Sequence, residues 1–403
     1  MNASQRADQG GKHGLGHGTR IHTVARGRFR QGVPPTARAV LSVDLSALRA
    51  NWARLNSASG RAECAGVIKA DAYGLGLAPI AKALTSEGCK TFFVATIDEG
   101  RAARAVQPGA TIYVLDGLLP GAEPNYAGFD LRPVLSSLAE VRDWAAYSRA
   151  RGRKLSAAVH LDTGMNRLGM PAAEIERLAA EPGLLDTFDM CLIMSHLACA
   201  DEPDNPMNAR QRERFDALRA KLPAAPASLA NSGGTFLGSR FHYDLVRPGI
   251  ALYGGRAHEG RPNPMQTVVR FAAKILQIRE LEPGATIGYG AIYRVQRPSR
   301  IATIGCGYAD GFLRALSVKT GEAGPVGFIA DYPVPIVGRV SMDFTTVDVT
   351  DVPAELARRG AWVEVMGARV TVDDLTDRAG TIGYELLTRL GPRVHRVYEG
   401  AAS

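Results

Sequence analysis

The chain has 403 residues, 46% of them apolar and 22% charged, and a formal net charge of +8. Its length favours two domains, its composition excludes a fibrous or wholly disordered protein, and no apolar run is long enough to cross a bilayer. The positive charge is no sign of nucleic-acid binding: residues 1–38 hold seven Lys/Arg against one Asp, which leaves 41 Lys/Arg against 39 Asp/Glu in the rest.

In chain order, the Gly-, His- and Arg-rich stretch 1–38 has no apolar core and so is not a secretory signal. It reads as a disordered basic leader, or as sequence upstream of the true start. The run Val40–Val43 precedes a helical pattern at Leu45–Leu55 and can pair with either domain. Eight short apolar runs follow: Cys64–Lys69, Thr91–Ile97, Thr111–Leu115, Leu131–Leu135, Leu155–Leu161, Met190–His196, Ala227–Ala230 and Tyr243–Arg247. Helical patterns fall between most of them, with Asp98 as one expected cap and Ser137-Leu138-Ala139-Glu140 as a capping box. The runs are apolar throughout, as in strands covered on both faces. Residues 39–255 therefore read as a TIM-type (β/α)8 barrel, with an open doubly wound sheet as the alternative that periodicity does not exclude. Residues 256–403 read as a mostly β domain, with strands at Gln266–Glu280, Ile301–Ile304, Val334–Val340, Thr345–Val349 and Trp362–Val365 and helical patterns at Glu355–Arg359 and Thr381–Leu390. Five widely spaced cysteines with no C-x-x-C argue against a disulfide framework or zinc site and fit a reducing cytoplasm. Cys306, in Gly-Cys-Gly, reads as a small buried thiol rather than a nucleophile.

Working residues in such a barrel sit where strands end. Lys69 ends the first run; desolvation there lowers its pKa, which is what an imine-forming amine needs. Read alone, it is equally a lysine with its head in water. Asn231-Ser232-Gly233-Gly234 follows the seventh strand and opens a helical turn, where backbone N–H groups make an anion site; Gly249 and Ile250 follow the eighth. Arg247 alone reads as a rim salt bridge, His196 as a core histidine and Tyr289 as a turn aromatic.

Together these segments carry more. Val67-Ile68-Lys69-Ala70-Asp71-Ala72-Tyr73-Gly74-Leu75-Gly76 closely resembles the cofactor-lysine motif of the alanine racemase family. Asp162 to Gly169, Ser195-His196, Ala230 to Thr235 and Val246 to Gly254 resemble that family across the barrel. Gly288-Tyr289-Gly290, Gly307 to Gly311 and Gly338 to Asp343 resemble it across the second domain, so the likeness runs from about Ala39 to Tyr398. The resemblance implies pyridoxal 5'-phosphate held as an imine on Lys69, with its phosphate on Tyr73, Ser232 and the Gly249–Ile250 backbone and its ring nitrogen on Arg247. An arginine does not give up its proton, so that nitrogen stays unprotonated, which favours reprotonation of the substrate over transamination. The resemblance further implies a two-base interconversion of L- and D-alanine, supplying D-alanine for peptidoglycan. Lys69 serves one face and Tyr289 the other, with His196 between Tyr289 and Arg247. Arg167 and Met342 meet the substrate carboxylate. Tyr289 and Met342 are implied to come from the partner in a homodimer, while Tyr308, Arg314, Arg339 and Asp201 line an access corridor.

Two departures stand out. Many members carry a carbamylated lysine that braces the arginine equivalent to Arg167; here that position is His160. Some have a tyrosine before the final Arg-Val that reaches the phosphate; here it is Pro392. A decarboxylase of the same architecture uses other motifs round its lysine, and a non-catalytic carrier of the same cofactor resembles the barrel alone. The Tyr289 segment argues against both.

Overall fold

The computed structural model describes residues 32–400. The first strand, β1 (Ala39–Asp44), leads into the helix Leu45–Ser59, which begins where the Asp44 carboxylate accepts from Ser46 N and Ala47 N, both at 2.9 Å. Next come β2 (Glu63–Cys64) and β3 (Gly66–Val67), which together make the first barrel strand. β4 (Thr91–Val94), β5 (Thr111–Val114), β6 (Arg132–Leu135), β7 (Ser156–His160), β8 (Asp189–Met194) and β9 (Ala227–Ser228) follow β3 in one parallel sheet, in chain order. β10 (Leu245–Val246) pairs in parallel with β2. Asp244 N and Arg247 N donate to Ala227 O and Ala230 O, while Ala65 N and Val67 N donate to Val246 O and Pro248 O. These bonds carry the ring from β9 through β10 back to the first strand, so the barrel closes and the open-sheet alternative falls. Phe92, Phe93, Val94, Ile112 and Val134 are fully buried, which explains why these strands lack polar alternation.

The second domain is built on the 13-residue strand β11 (Val269–Leu281). A small hairpin, β12 (Thr286–Ile287) with β13 (Tyr293–Arg294), follows it. Then come β14 (Ser299–Ile304), β15 (Val326–Ile329), β16 (Tyr332–Val337), β17 (Thr345–Asp348), β18 (Trp362–Met366) and β19 (His395–Glu399). The sheet order is β14-β17-β16-β15-β18-β11-β1-β19, and β11 also pairs with β14, which curls the antiparallel part into a ring. β1 thus belongs to this domain, antiparallel to β11 and parallel to β19.

Several local expectations are corrected. The helix Ile97–Val106 is capped by Thr96, whose Oγ1 accepts from Glu99 N, and not by Asp98, which lies inside the first turn and pairs with Arg101. Ser137 caps the helix Leu138–Ala150 as expected, its Oγ accepting from Glu140 N at 3.2 Å, but the Glu140 carboxylate accepts from Ser136 N and Leu118 N and so leaves the box half made. Glu355–Arg359 is a run of turns, because Pro353 and Gly360 bracket a segment too short to propagate a helix. A helix at Val372–Ala379, boxed by Thr371 and Asp374, was not expected. Of the basic leader, residues 1–31 lie outside the described residues. The rest is seated on the second domain: Lys274 Nζ donates to Pro35 O at 2.9 Å, and Arg38 pairs with the buried Asp310 at 3.2 Å.

Candidate active site

A cleft of about 470 Å³ opens at the C-terminal ends of the barrel strands. Lys69, Tyr73, Arg167, His196, Ser232, Arg247, Gly249 and Ile250 all line it, as does Asp201. Elements as distant in sequence as β3 and β10 therefore deliver to one place the barrel residues selected from sequence.

Lys69 opens a turn with an unusual backbone. Ala70, Asp71, Ala72 and Tyr73 have φ of 53°, 53°, 52° and 57°, a left-handed helical turn made without glycine. L-residues pay roughly 1–2 kcal/mol each for that conformation, so four of them cost on the order of 4–8 kcal/mol. Contacts outside the turn hold it. Glu99 Oε1 accepts from Ala70 N at 2.6 Å while its Oε2 accepts from Ala95 N at 2.8 Å, and Asp71 Oδ1 accepts from Leu77 N at 2.7 Å. From the second domain, Arg396 Nη2 donates to Gly74 O at 2.8 Å and Tyr398 OH to Leu75 O at 2.9 Å. At Gly74 (φ +78°) a Cβ would lie 2.6 Å from Leu387 O, so glycine is required there by both conformation and space. The turn puts Lys69 and Tyr73 at its two ends, both facing the cleft. Burial, and secondarily the nearby Arg167, pull the Lys69 amine below the usual lysine range.

Beside it lies a cradle. Ser232 begins the short helix Ser232–Phe236, capped by Asn231 Oδ1 accepting from Gly234 N at 3.0 Å. Ser232 Oγ accepts from Gly249 N at 2.9 Å and from Ala251 N at 3.3 Å. A Cβ on Gly249 would sit 2.2 Å from Tyr73 Oη, and one on Gly233 would sit 2.4 Å from Ala200 O. Hydroxyls and backbone donors thus converge where side chains have been kept out, which suits a phosphate. Tyr73 is buried, tilted against Tyr253 with centroids 4.7 Å apart, and Tyr253 OH in turn donates to Val67 O at 2.8 Å.

Arg247 is buried and has no carboxylate partner among the described residues. It donates to Ser228 Oγ, to Ser195 O at 2.6 Å and to His196 Nδ1 at 3.4 Å. Burial draws its pKa below the guanidinium range while leaving it charged near neutrality. Burial and then Arg247 push His196 well down, so its ring is neutral; Arg247 Nη2 stands 3.4 Å from its Nδ1 and Asn231 Nδ2 3.5 Å from its Nε2. Arg167 is exposed and makes no hydrogen bond or ion pair among the described residues. His160 does not replace a carbamate's charge: burial and Arg247 take its pKa to about 4, and its Nδ1 meets Ser136 Oγ at 3.3 Å.

The single chain does not bring Tyr289 or Met342 to this cleft. Tyr289 is 71% exposed and lines a separate hollow of about 370 Å³ with Arg339, Ser341 and Phe344. Met342 is 54% exposed; its C=O accepts from Ala309 N while its N–H has no partner among the described residues. Tyr308 and Arg314 are likewise on the second domain's surface. The loops bearing Tyr308 and Met342 are tied together by Asp310 and Asp343, both ion-paired to Arg393. Sequence reading missed Tyr384, which lines the cleft 5.8 Å from the Tyr73 ring; its place within an aromatic-poor helical pattern beside glycine was the one available signal. It also missed Glu99, Arg396 and Tyr398, which act through backbone contacts and have no motif of their own; Asn231, within the anion-site segment read from sequence, is the cap of the helix Ser232–Phe236.

A closed barrel with an amine beside a phosphate-sized cradle, joined to a β domain, defines a class: enzymes that carry pyridoxal phosphate on a lysine. Residues 43–257 match the model of the alanine racemase N-terminal domain and residues 268–398 that of the C-terminal domain. The chain belongs to the alanine racemase family. It is 49% identical over 365 residues to a catabolic alanine racemase of Mesorhizobium japonicum, covering 90% of this chain and 94% of that one. It is 45% identical to a biosynthetic one of Agrobacterium fabrum, covering 89% and 93%. The crystal structure of the Bartonella henselae alanine racemase, with covalently bound pyridoxal phosphate, superimposes with a TM-score of 0.85 at 39% identity, covering 90% of this chain and 99% of that one.

Proposed function

We propose that the protein interconverts L- and D-alanine with pyridoxal phosphate on Lys69, as a homodimer in which each cleft is completed by Tyr289 and Met342 of the partner subunit. The observation that carries this reading is the half-buried Lys69 amine, its pKa lowered, at one end of a strained turn whose other end places Tyr73 on the cradle. Ser232, Tyr73 and the Gly249–Ile250 backbone would hold the phosphate. Once bound, the cofactor acidifies the α-hydrogen of an attached amino acid. Arg247 keeps its proton and so withholds one from the ring nitrogen, which limits charge delocalisation and favours return of a proton to the α-carbon.

Lys69 removes or returns the α-proton on one face. Tyr289 of the partner subunit serves the other. Its phenol needs help to act near neutrality, since a free tyrosine titrates near pH ~10. A neutral His196, held beside Arg247 through Nδ1, is the neighbour suited to assist that phenol. One feature supports a partner's contribution: Tyr289, Tyr308, Met342 and Phe344 form an exposed apolar group on one domain. Arg167 has no ion-pair partner among the described residues and is available to the substrate carboxylate. No described helix is long and apolar enough to cross a membrane. Supply of D-alanine for peptidoglycan, in the cytoplasm, is the role this activity fits.

The test is a chiral assay on purified protein given L- or D-alanine. Equilibration from either side without release of CO₂ is expected. Lys69→Ala should lose both the visible imine band and turnover; retention of either refutes the assignment.

A further inference from the structure

We infer that Arg396 and Tyr398, on the last strand of the second domain, are positioning residues for Lys69. The inference rests on Lys69 as the cofactor lysine. Arg396 commits its whole guanidinium to carbonyls: Nε and Nη2 donate to Gly74 O (3.2 and 2.8 Å), Nη2 also to Leu390 O (2.8 Å), and Nη1 to Gly391 O and Val394 O (3.2 and 3.3 Å). It has no carboxylate partner among the described residues. Tyr398 OH donates to Leu75 O at 2.9 Å and crowds Gly76 (φ +100°), where a Cβ would lie 2.2 Å from that oxygen.

Gly74 O and Leu75 O are the carbonyls that end the left-handed turn. A helical end leaves such carbonyls without intrahelical donors, and a following glycine or a cation normally serves them locally. Here the donors come from another domain, more than 300 residues further along. Ala70, Ala72 and Tyr73 have no preference of their own for positive φ, and Asp71 only a slight one. Removing the external donors lets the turn relax toward ordinary backbone. Because Lys69 and Tyr73 stand at opposite ends of it, the amine and the cradle hydroxyl then shift together. The same guanidinium grips residues 390–394, whose Gly391 N donates to Asp310 O, in the loop that carries Tyr308. One side chain therefore sets the lysine turn against the segment that supports the residues offered to the partner.

A role confined to docking β19 would lower the melting temperature and leave the turn alone, so the test follows the turn. Full-length Tyr398→Phe, Arg396→Lys and Arg396→Met are compared with wild type by hydrogen exchange over residues 68–77 with and without cofactor, by cofactor release followed through the visible band, and by kcat and KM. Tyr398→Phe deletes one hydroxyl and is expected to fold. It should raise exchange in 68–77 selectively and speed cofactor release about tenfold, the weight of one hydrogen bond. Turnover should fall with little change in KM, since no carboxylate contact is touched. Arg396→Met should be more severe, and Arg396→Lys, which keeps one donor, intermediate. Wild-type exchange and cofactor release in Tyr398→Phe overturn the inference even if Arg396→Met does not fold. So does a rise in exchange shared equally by β1 and β19. A Lys69→Ala protein that keeps the band would sink the cofactor assignment instead, while the exchange result would still report on the turn.

Discussion

Replacing Gly249 with alanine probes the cradle at its tightest point. The backbone there has φ −124°, so a side chain meets no left-handed strain. Its Cβ, however, would lie 2.2 Å from Tyr73 Oη and 3.0 Å from Cζ. Tyr73 cannot give way easily, because its ring packs on Tyr253 and its backbone is part of the left-handed turn. Overpacking of this kind costs about 1–3 kcal/mol. Displacing the hydroxyl would remove the proposed phosphate hydrogen bond, worth about 1–1.5 kcal/mol, or roughly tenfold in affinity. Gly249→Ala apoprotein should therefore unfold at lower urea and bind pyridoxal phosphate at least about tenfold more weakly. Tyr73→Phe alone should weaken binding with little loss of stability. In the Gly249→Ala background it deletes the atom at 2.2 Å and should restore most of the lost stability, giving a coupling of about 1 kcal/mol or more in a double-mutant cycle. Strictly additive unfolding energies would refute the claim that this hydroxyl is what excludes a side chain at 249.

His160 is buried neutral, with a pKa of about 4 against roughly 6.5 in an unfolded chain. Between those values the unfolded state binds the extra proton, so stability is complete above pH ~6.5 and is lost as pH falls toward 4, by about 3 kcal/mol in all. His160→Asn should flatten that acid limb; an unchanged difference in urea midpoint between pH 5 and 7.5 would contradict it. Tyr289→Phe should keep the cofactor band, leave monomer stability within about 0.5 kcal/mol as for an exposed site, and depress turnover with different solvent-isotope effects in the two directions. Wild-type rates both ways would remove Tyr289 as a base. Asn231→Ala removes the cap at Gly234 N and should cost about 1 kcal/mol of apoprotein stability, with weaker cofactor binding; an unchanged cofactor titration would show that the cap does not shape the cradle.

The barrel was legible because strands covered on both faces write themselves as unbroken apolar runs, and the site because its residues fall at strand ends: Lys69 after β3, Arg247 after β10, Ser232 just beyond β9. What escaped was whatever depends on partners far along the chain. Nothing in Ala70-Asp71-Ala72-Tyr73 encodes positive φ, since the conformation is imposed by Glu99, Arg396 and Tyr398. Asp98 and Thr96 are both plausible caps in sequence, and only the backbone trajectory after β4 decides between them. β19 has a composition like that of many loops, and becomes a strand because β1 offers it an edge. Tyr289 and Met342 were selected through the family resemblance alone; a single chain leaves them on its surface.

β1 lies between β11, which enters the second domain, and β19, which ends it. The first and last described strands are therefore neighbours, and the free edge of β1 is covered by a segment translated after every barrel strand. While a ribosome still holds residues 395–399 in its tunnel, every barrel strand has already emerged, yet the Lys69 turn lacks its two donors from the other domain. Capture of the cofactor should then wait on β19: nascent chains arrested with that strand inside the tunnel should fail to develop the visible band, and should acquire it once the strand has emerged.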